Sequence, residues 1–155
     1  MISGWLIANS ILKKSFKDNI LITSLKLNFL VYLLYSNYLY TKNEKLFTEM
    51  FVKTNIGPVL PTIEFKFSSF KEEKIDKYAY DATGSIKYVT SYEFEEILNY
   101  IWDAYKYYSE IELYNIIVNE REYYSTRIND CINDESILKD EKSRNGIKYE
   151  KKLNN

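Results

Sequence analysis

The chain has 155 residues, of which 46% are hydrophobic and 28% are charged, and its formal net charge is −1. These values exclude an intrinsically disordered chain and are typical of one globular domain that buries its own core. The 21 basic and 22 acidic residues are mixed along the chain, so no nucleic acid is expected as a principal ligand, because nucleic-acid-binding domains carry a clustered basic excess.

Cysteine content and hydropathy bear on the compartment. Cys131 has no second cysteine with which to form an internal disulfide, which favours a reducing compartment, the cytoplasm. Residues 1–5 lack the basic start and the apolar core of a signal peptide. The most apolar stretch, 25–40, is 16 residues long, whereas a membrane span needs roughly twenty. A helix buried at the centre of a bundle has the same pattern, and we predict that alternative.

The first two predicted elements are helices. Apolar residues recur at helical spacing from Trp5 and predict a short helix to about Lys14. Asp18 and Asn19 mark a turn. Thr23 or Ser24 then caps a second helix, which we expect at the centre of the fold because its apolar residues lie on all sides.

The middle of the chain predicts a small β element. Phe51 and Val52 suit a short strand that ends at Gly57, with Pro58 in the first turn of a following helix. After a polar connection over 68–85, residues 86–89 predict a second short strand. If these two strands pair, the fold contains one two-stranded sheet.

Two capping boxes predict the next helices. Thr90 to Glu93 precedes an amphipathic helix that extends to about Tyr105, and Ser109 to Glu112 precedes another, with a break near Tyr107. Beyond Asp130 the apolar pattern decays to one short helix and a charged segment.

The predicted fold is therefore mainly α, a compact bundle of about five to six helices with a small two-stranded β element. We predict a helical domain over residues 1–130 and a charged C-terminal segment over 131–155, flexible or ordered only on a partner.

No enzyme is predicted. Histidine is absent, which removes the usual general base and the commonest zinc ligand, and four scattered glycines cannot form a phosphate-binding loop. Catalytic residues, cofactors and metals are therefore all predicted to be none. Lys26 leaves two interpretations open, because a lysine within an apolar helix is either a desolvated catalytic group or, more commonly, a snorkelling or ion-paired structural residue.

Three segments match a known pattern in order and spacing, over roughly residues 4–125. The matching positions are Leu25, Lys26, Leu27 and Tyr32 in the first segment, Gly57, Pro58, Val59 and Pro61 in the second, and Ser109 and Leu113 in the third. Together they resemble the Panacea domain, a family associated with bacterial and phage antitoxins. Thr54 stands where the family often has a tryptophan, which is typical of a divergent member.

The resemblance implies a bacterial or phage-encoded cytoplasmic protein that neutralises a cognate toxin by direct binding, or that delivers a toxin to a protease. The alternative is a phage or mobile-element accessory protein that inhibits a host defence protein or enzyme. Either function requires a protein partner, with neither nucleic acid nor membrane; the oligomeric state stays open. Tyrosines away from the core faces, such as Tyr100, Tyr107 and Tyr114, are candidate anchors for that partner.

Overall fold

The computed structural model describes the backbone of residues 2–154 and the side chains of residues 2–145. Within that part the chain forms seven α-helices, so the mainly helical fold is confirmed. The helices are α1 (Gly4–Asp18), α2 (Ser24–Lys42), α3 (Pro61–Lys66), α4 (Tyr92–Tyr105), α5 (Glu110–Val118), α6 (Arg121–Ser125) and α7 (Asp134–Asn154). The strands are β1 (Ile22–Thr23), β2 (Val52–Thr54), β3 (Gly57–Val59) and β4 (Lys74–Ile75), which pair antiparallel as β1 with β4 and β2 with β3.

Helix α2 lies at the centre, as its apolar pattern predicts. Its residues from Lys26 to Asn37 are buried without interruption, and α1, α4 and α7 all pack against it. A helix with no polar face is stable in water only when it is enclosed in this way. Thr23 caps it, because its side-chain oxygen accepts a hydrogen bond of 3.2 Å from the amide of Lys26.

The two predicted capping boxes differ in outcome. The box at Ser109 is confirmed, since the Ser109 amide donates to Glu112 and the Glu112 amide donates to Ser109, both at 3.1 Å. At α4 the cap is Ser91 and not Thr90, and its hydroxyl accepts from the amide of Phe94 at 3.4 Å. The predicted cap at Thr90 is therefore wrong by one residue, although the helix follows as expected.

The predicted pairing of strand 51–52 with residues 86–89 is wrong. Strand β2 pairs instead with β3, in a hairpin that opposes Val52 with Val59 and Thr54 with Gly57. A hairpin closes a much shorter loop than the predicted pairing, so its entropic cost is lower. Pro58 consequently lies in a strand and the helix begins only at Pro61. Residues 86–89 carry no regular structure.

The predicted flexibility of the C-terminal segment is wrong for residues 131–145. Ile132 and Ile137 are buried in the core, and α7 packs on α2 and α6. Two carboxylate oxygens of Asp140 accept from the amides that open α6, and Arg144 is enclosed between carboxylates. A charged sequence packs here because its charges bind one another and the backbone. The side chains of residues 146–154, and residue 155 altogether, lie outside the described part.

Candidate functional site

A groove of about 440 Å³ opens where the start of α2 meets the β2–β3 hairpin, α3 and the start of α5. We call it the α2 groove. Its lining combines apolar side chains with acidic ones and consists of Thr23, Ser24, Leu25, Asn28, Ile56, Val59, Glu64, Lys71, Glu72 and Glu110. An apolar floor with a few polar groups is the usual composition of a binding site in a protein.

Asn28 joins the helix to the opposite side of the groove. Its side-chain oxygen accepts a hydrogen bond of 2.9 Å from the amide of Leu60, and its amide group donates to the carbonyl of Ser24 at 3.1 Å. Both ends of this buried amide are therefore bound. The chain that enters α3 is held against α2 as a result, so Val59 keeps its place in the lining.

Gly57 brings the hairpin close to α2. Its φ is +114°, a backbone conformation that side chains other than glycine rarely adopt. A Cβ atom at this position would lie 2.5 Å from Cε1 of Phe29. The hairpin thus lies directly on the aromatic ring of Phe29, and this contact positions Ile56 at the edge of the groove.

Thr23 connects the first turns of two helices. Its hydroxyl donates a hydrogen bond of 2.6 Å to Oε1 of Glu110, the first residue of α5, and the same oxygen accepts from the Lys26 amide. Glu110 is therefore held at the groove in one orientation, which presents a carboxylate at a fixed place on its wall.

Lys26 has a structural partner. Its side chain is buried, and Nζ donates a hydrogen bond of 2.7 Å to the carbonyl of Lys106, which follows the last turn of α4. The negative end of a helix favours a cation at that point. Burial lowers the pKa of Lys26, as does the nearby Lys74, while Glu110 and Glu112 oppose the shift. An ammonium already bound to a backbone carbonyl supports the structural interpretation of this residue.

The family-motif residues gather around the α2 groove, but few reach its surface. Leu25 and Val59 line it. The others have structural positions: Leu27, Tyr32 and Leu113 are in the core, Gly57 and Pro58 form β3, Pro61 opens α3, Lys26 binds α4 and Ser109 caps α5.

Several lining residues escaped the sequence analysis. Ile56, Glu64, Lys71 and Glu72 were assigned to a strand end, a helix and a connecting segment without any site. A better signal was available at Asn55 and Ile56, where an apolar residue in a hairpin turn is exposed to solvent.

Exposed apolar side chains adjoin the groove at the junction of α4 and α5, residues 107–111, which we call the α4–α5 corner. Tyr107 is 80% exposed and Ile111 is 70% exposed, and Tyr108 is also at the surface. Glu110, which lines the groove, belongs to the same short stretch. Among the candidate anchors Tyr107 is the most exposed, Tyr100 is 42% exposed, and Tyr114 packs partly against the core.

Two searches and three comparisons complete the description of the site. Among the described residues, no group of three or more acidic or cysteine side chains is placed to hold a metal ion. No helix in the described part is both long and apolar enough to cross a membrane. Comparisons with protein families, with curated proteins and with solved structures found no match for this chain.

Proposed function

We propose that the protein acts by binding another protein through the α2 groove and the adjoining α4–α5 corner, without catalysis. The observation that supports this most directly is the exposure of Tyr107 and Ile111 beside a groove with the apolar lining residues Leu25 and Val59. Clustered exposed apolar side chains cost solubility and add nothing to the core, so they mark surfaces that a partner covers.

We further propose that the partner is a cognate toxin, as the resemblance to the Panacea family implies. Direct neutralisation and delivery to a protease both begin with a stoichiometric complex, and both require a preformed surface. The hydrogen bonds of Asn28 and Thr23 hold the groove in one shape, and such preorganisation lowers the entropic cost of association. A cytoplasmic location, where Cys131 stays reduced, belongs to the same proposal.

Co-expression tests the proposal in cells. The chain is produced together with each product of its neighbouring genes, and rescue of growth from a toxic product identifies the partner. Tyr107→Ala and Ile111→Ala are each expected to weaken the complex by about 1.5–3 kcal/mol, the value of burying one large apolar side chain, or roughly 10- to 100-fold in Kd.

Tyr92→Ala is the matched control. Tyr92 is also highly exposed but begins α4, about 20 Å along the helix from the corner. Equal loss of binding in the control and the corner variants would contradict the assignment of the surface. If no neighbouring product is toxic and capture from host lysate identifies a host defence protein, the accessory function replaces the antitoxin function.

A further inference from the structure

A second groove, of about 300 Å³, lies between α1, the start of α4 and the irregular segment 76–91. Its charge is opposite in sign to that of the α2 groove. Lys13, Lys14 and Lys17 line it from α1, Glu95 lines it from α4, and Val89 and Leu98 contribute apolar surface. We call it the α1 groove.

Two of the three lysines retain uncompensated charge. Nζ of Lys14 lies 2.8 Å from Oε1 of Glu95, so these two charges neutralise each other. Nζ of Lys13 lies 4.6 Å from the ring centroid of Tyr88, an interaction that orients the ammonium without cancelling its charge. Among the described side chains, no carboxylate oxygen lies within 4.0 Å of Lys13 or Lys17. These two lysines are four residues apart on one face of α1, so their charges act together.

The wall opposite α1 is irregular in backbone but firmly held. The buried side chain of Asn9 donates to the carbonyls of Ala79 and Lys87 at 2.8 and 2.9 Å and accepts from the Ala79 amide at 2.9 Å. The hydroxyl of Ser10 accepts from the amide of Val89 at 2.9 Å. The segment is therefore fixed at both crossings over α1 before any ligand arrives, which reduces the entropy that binding would lose.

We propose that the α1 groove binds an acidic segment of a partner protein, with carboxylates on Lys13 and Lys17 and an aliphatic side chain against Val89 and Leu98. Complementary charge selects the carboxylates, and the apolar surface selects their neighbour. This inference is independent of the proposed function, because the two grooves share no residue.

A nucleic acid fits this groove less well. The three lysines span little more than one helical turn, about 6 Å, which is too short to follow a phosphate backbone. The first turns of α4 beside them carry Glu93, Glu95 and Glu96, which would repel the next phosphates. A short carboxylate-bearing segment meets neither obstacle.

Titration of the full-length ¹⁵N-labelled protein tests the proposal. The probes are a short blocked peptide in which glutamate alternates with leucine, the same peptide with glutamine in place of glutamate, and a thymidine oligonucleotide. We expect the acidic peptide alone to shift the amide signals of residues 13–17 and 89–95, and added salt to weaken that effect. Absence of shifts there at millimolar peptide, or equal shifts with the glutamine peptide or the oligonucleotide, overturns the proposal.

Charge reversal provides the second measurement. The double variant Lys13→Glu with Lys17→Glu is expected to weaken peptide binding by roughly tenfold or more, because attraction becomes repulsion. The double variant Lys139→Glu with Lys142→Glu changes the net charge equally at exposed positions of α7 and is expected to bind as the wild type does. Equal loss in both variants overturns the proposal, as does a result in which the first variant binds normally.

Two further readouts keep the test decisive. If the reversed protein loses its circular dichroism spectrum, Lys13→Gln with Lys17→Gln replaces it, and retention of full binding by that variant overturns the proposal. Sedimentation velocity shows whether a second copy of the chain occupies the groove. Salt-sensitive dimers that the Lys13 and Lys17 variants abolish would assign the groove to self-association and overturn a separate acidic partner.

Discussion

Replacing Arg144 with methionine tests whether paired charges hold α7 on the domain. The guanidinium donates three hydrogen bonds of 2.6 Å, two to Glu120 and one to Glu141. The exposed fractions of these three side chains are 9%, 11% and 1%, so the group is almost fully removed from water. Breaking a buried ion pair by removing one partner costs about 3–5 kcal/mol, because the remaining charges lose their compensation. We expect the free energy of unfolding at pH 8 to fall by that amount.

The pH dependence has a definite sign. Burial raises the pKa of Glu120 from its usual 4.5 to about 7; Asp140 and Glu141 add to the rise, and Arg144 opposes it. Since the folded protein binds this proton more tightly than the unfolded chain, the contribution is fully present below about pH 4.5 and is lost as the pH rises through 7. It amounts to about 3 kcal/mol. In the variant, Glu120 is protonated and neutral at pH 5, so the loss caused by Arg144→Met is expected to be smaller there than at pH 8.

Urea unfolding followed by tryptophan fluorescence at pH 5 and pH 8 measures both effects, with an unchanged slope as the sign that the compactness of the two states is preserved. Lys139→Met is the matched control on the same helix. Its ion pair with Glu135, at 3.1 Å, is exposed on both sides, and its loss is expected to cost less than about 1 kcal/mol. A loss below about 1 kcal/mol for Arg144→Met at pH 8, or an equal loss at both pH values, would refute the reasoning.

Three other predictions concern backbone strain, buried hydrogen bonds and a thiol. Gly57→Ala should lower the free energy of unfolding by more than about 2 kcal/mol in thermal melts, because its Cβ would collide with an aromatic ring at a positive φ; Gly84→Ala, where φ is also positive but space is open, should cost only about 1 kcal/mol. Asn9→Ala should cost about 2–4 kcal/mol and raise amide exchange in segment 76–91, since it removes three buried hydrogen bonds; unchanged exchange would contradict this. Cys131 is exposed and should react fully with a maleimide in the native protein, with protection only on unfolding as the contrary result.

Local and periodic features of the chain predicted a large part of this fold. The apolar run from Leu25 indicated a central helix, and the Ser109 capping box defined the start of α5 to the residue. Both are signals carried by neighbouring residues, through helical periodicity and through side chains that bind amides three positions away. The helical class of the fold follows from such signals alone.

Tertiary structure alone decided the pairing of β2 with β3, the packing of α7 and the makeup of both grooves. Each depends on residues far apart in sequence: Asn28 with Leu60, Arg144 with Glu120, and Asn9 with Ala79. A charged stretch such as the one around Arg144 has the pattern of a solvated tail until its partners are known, because pairing between distant charges leaves no periodic mark on the chain. The exposure of Tyr107 was likewise set by the corner between two helices, where neither hydrophobic face extends.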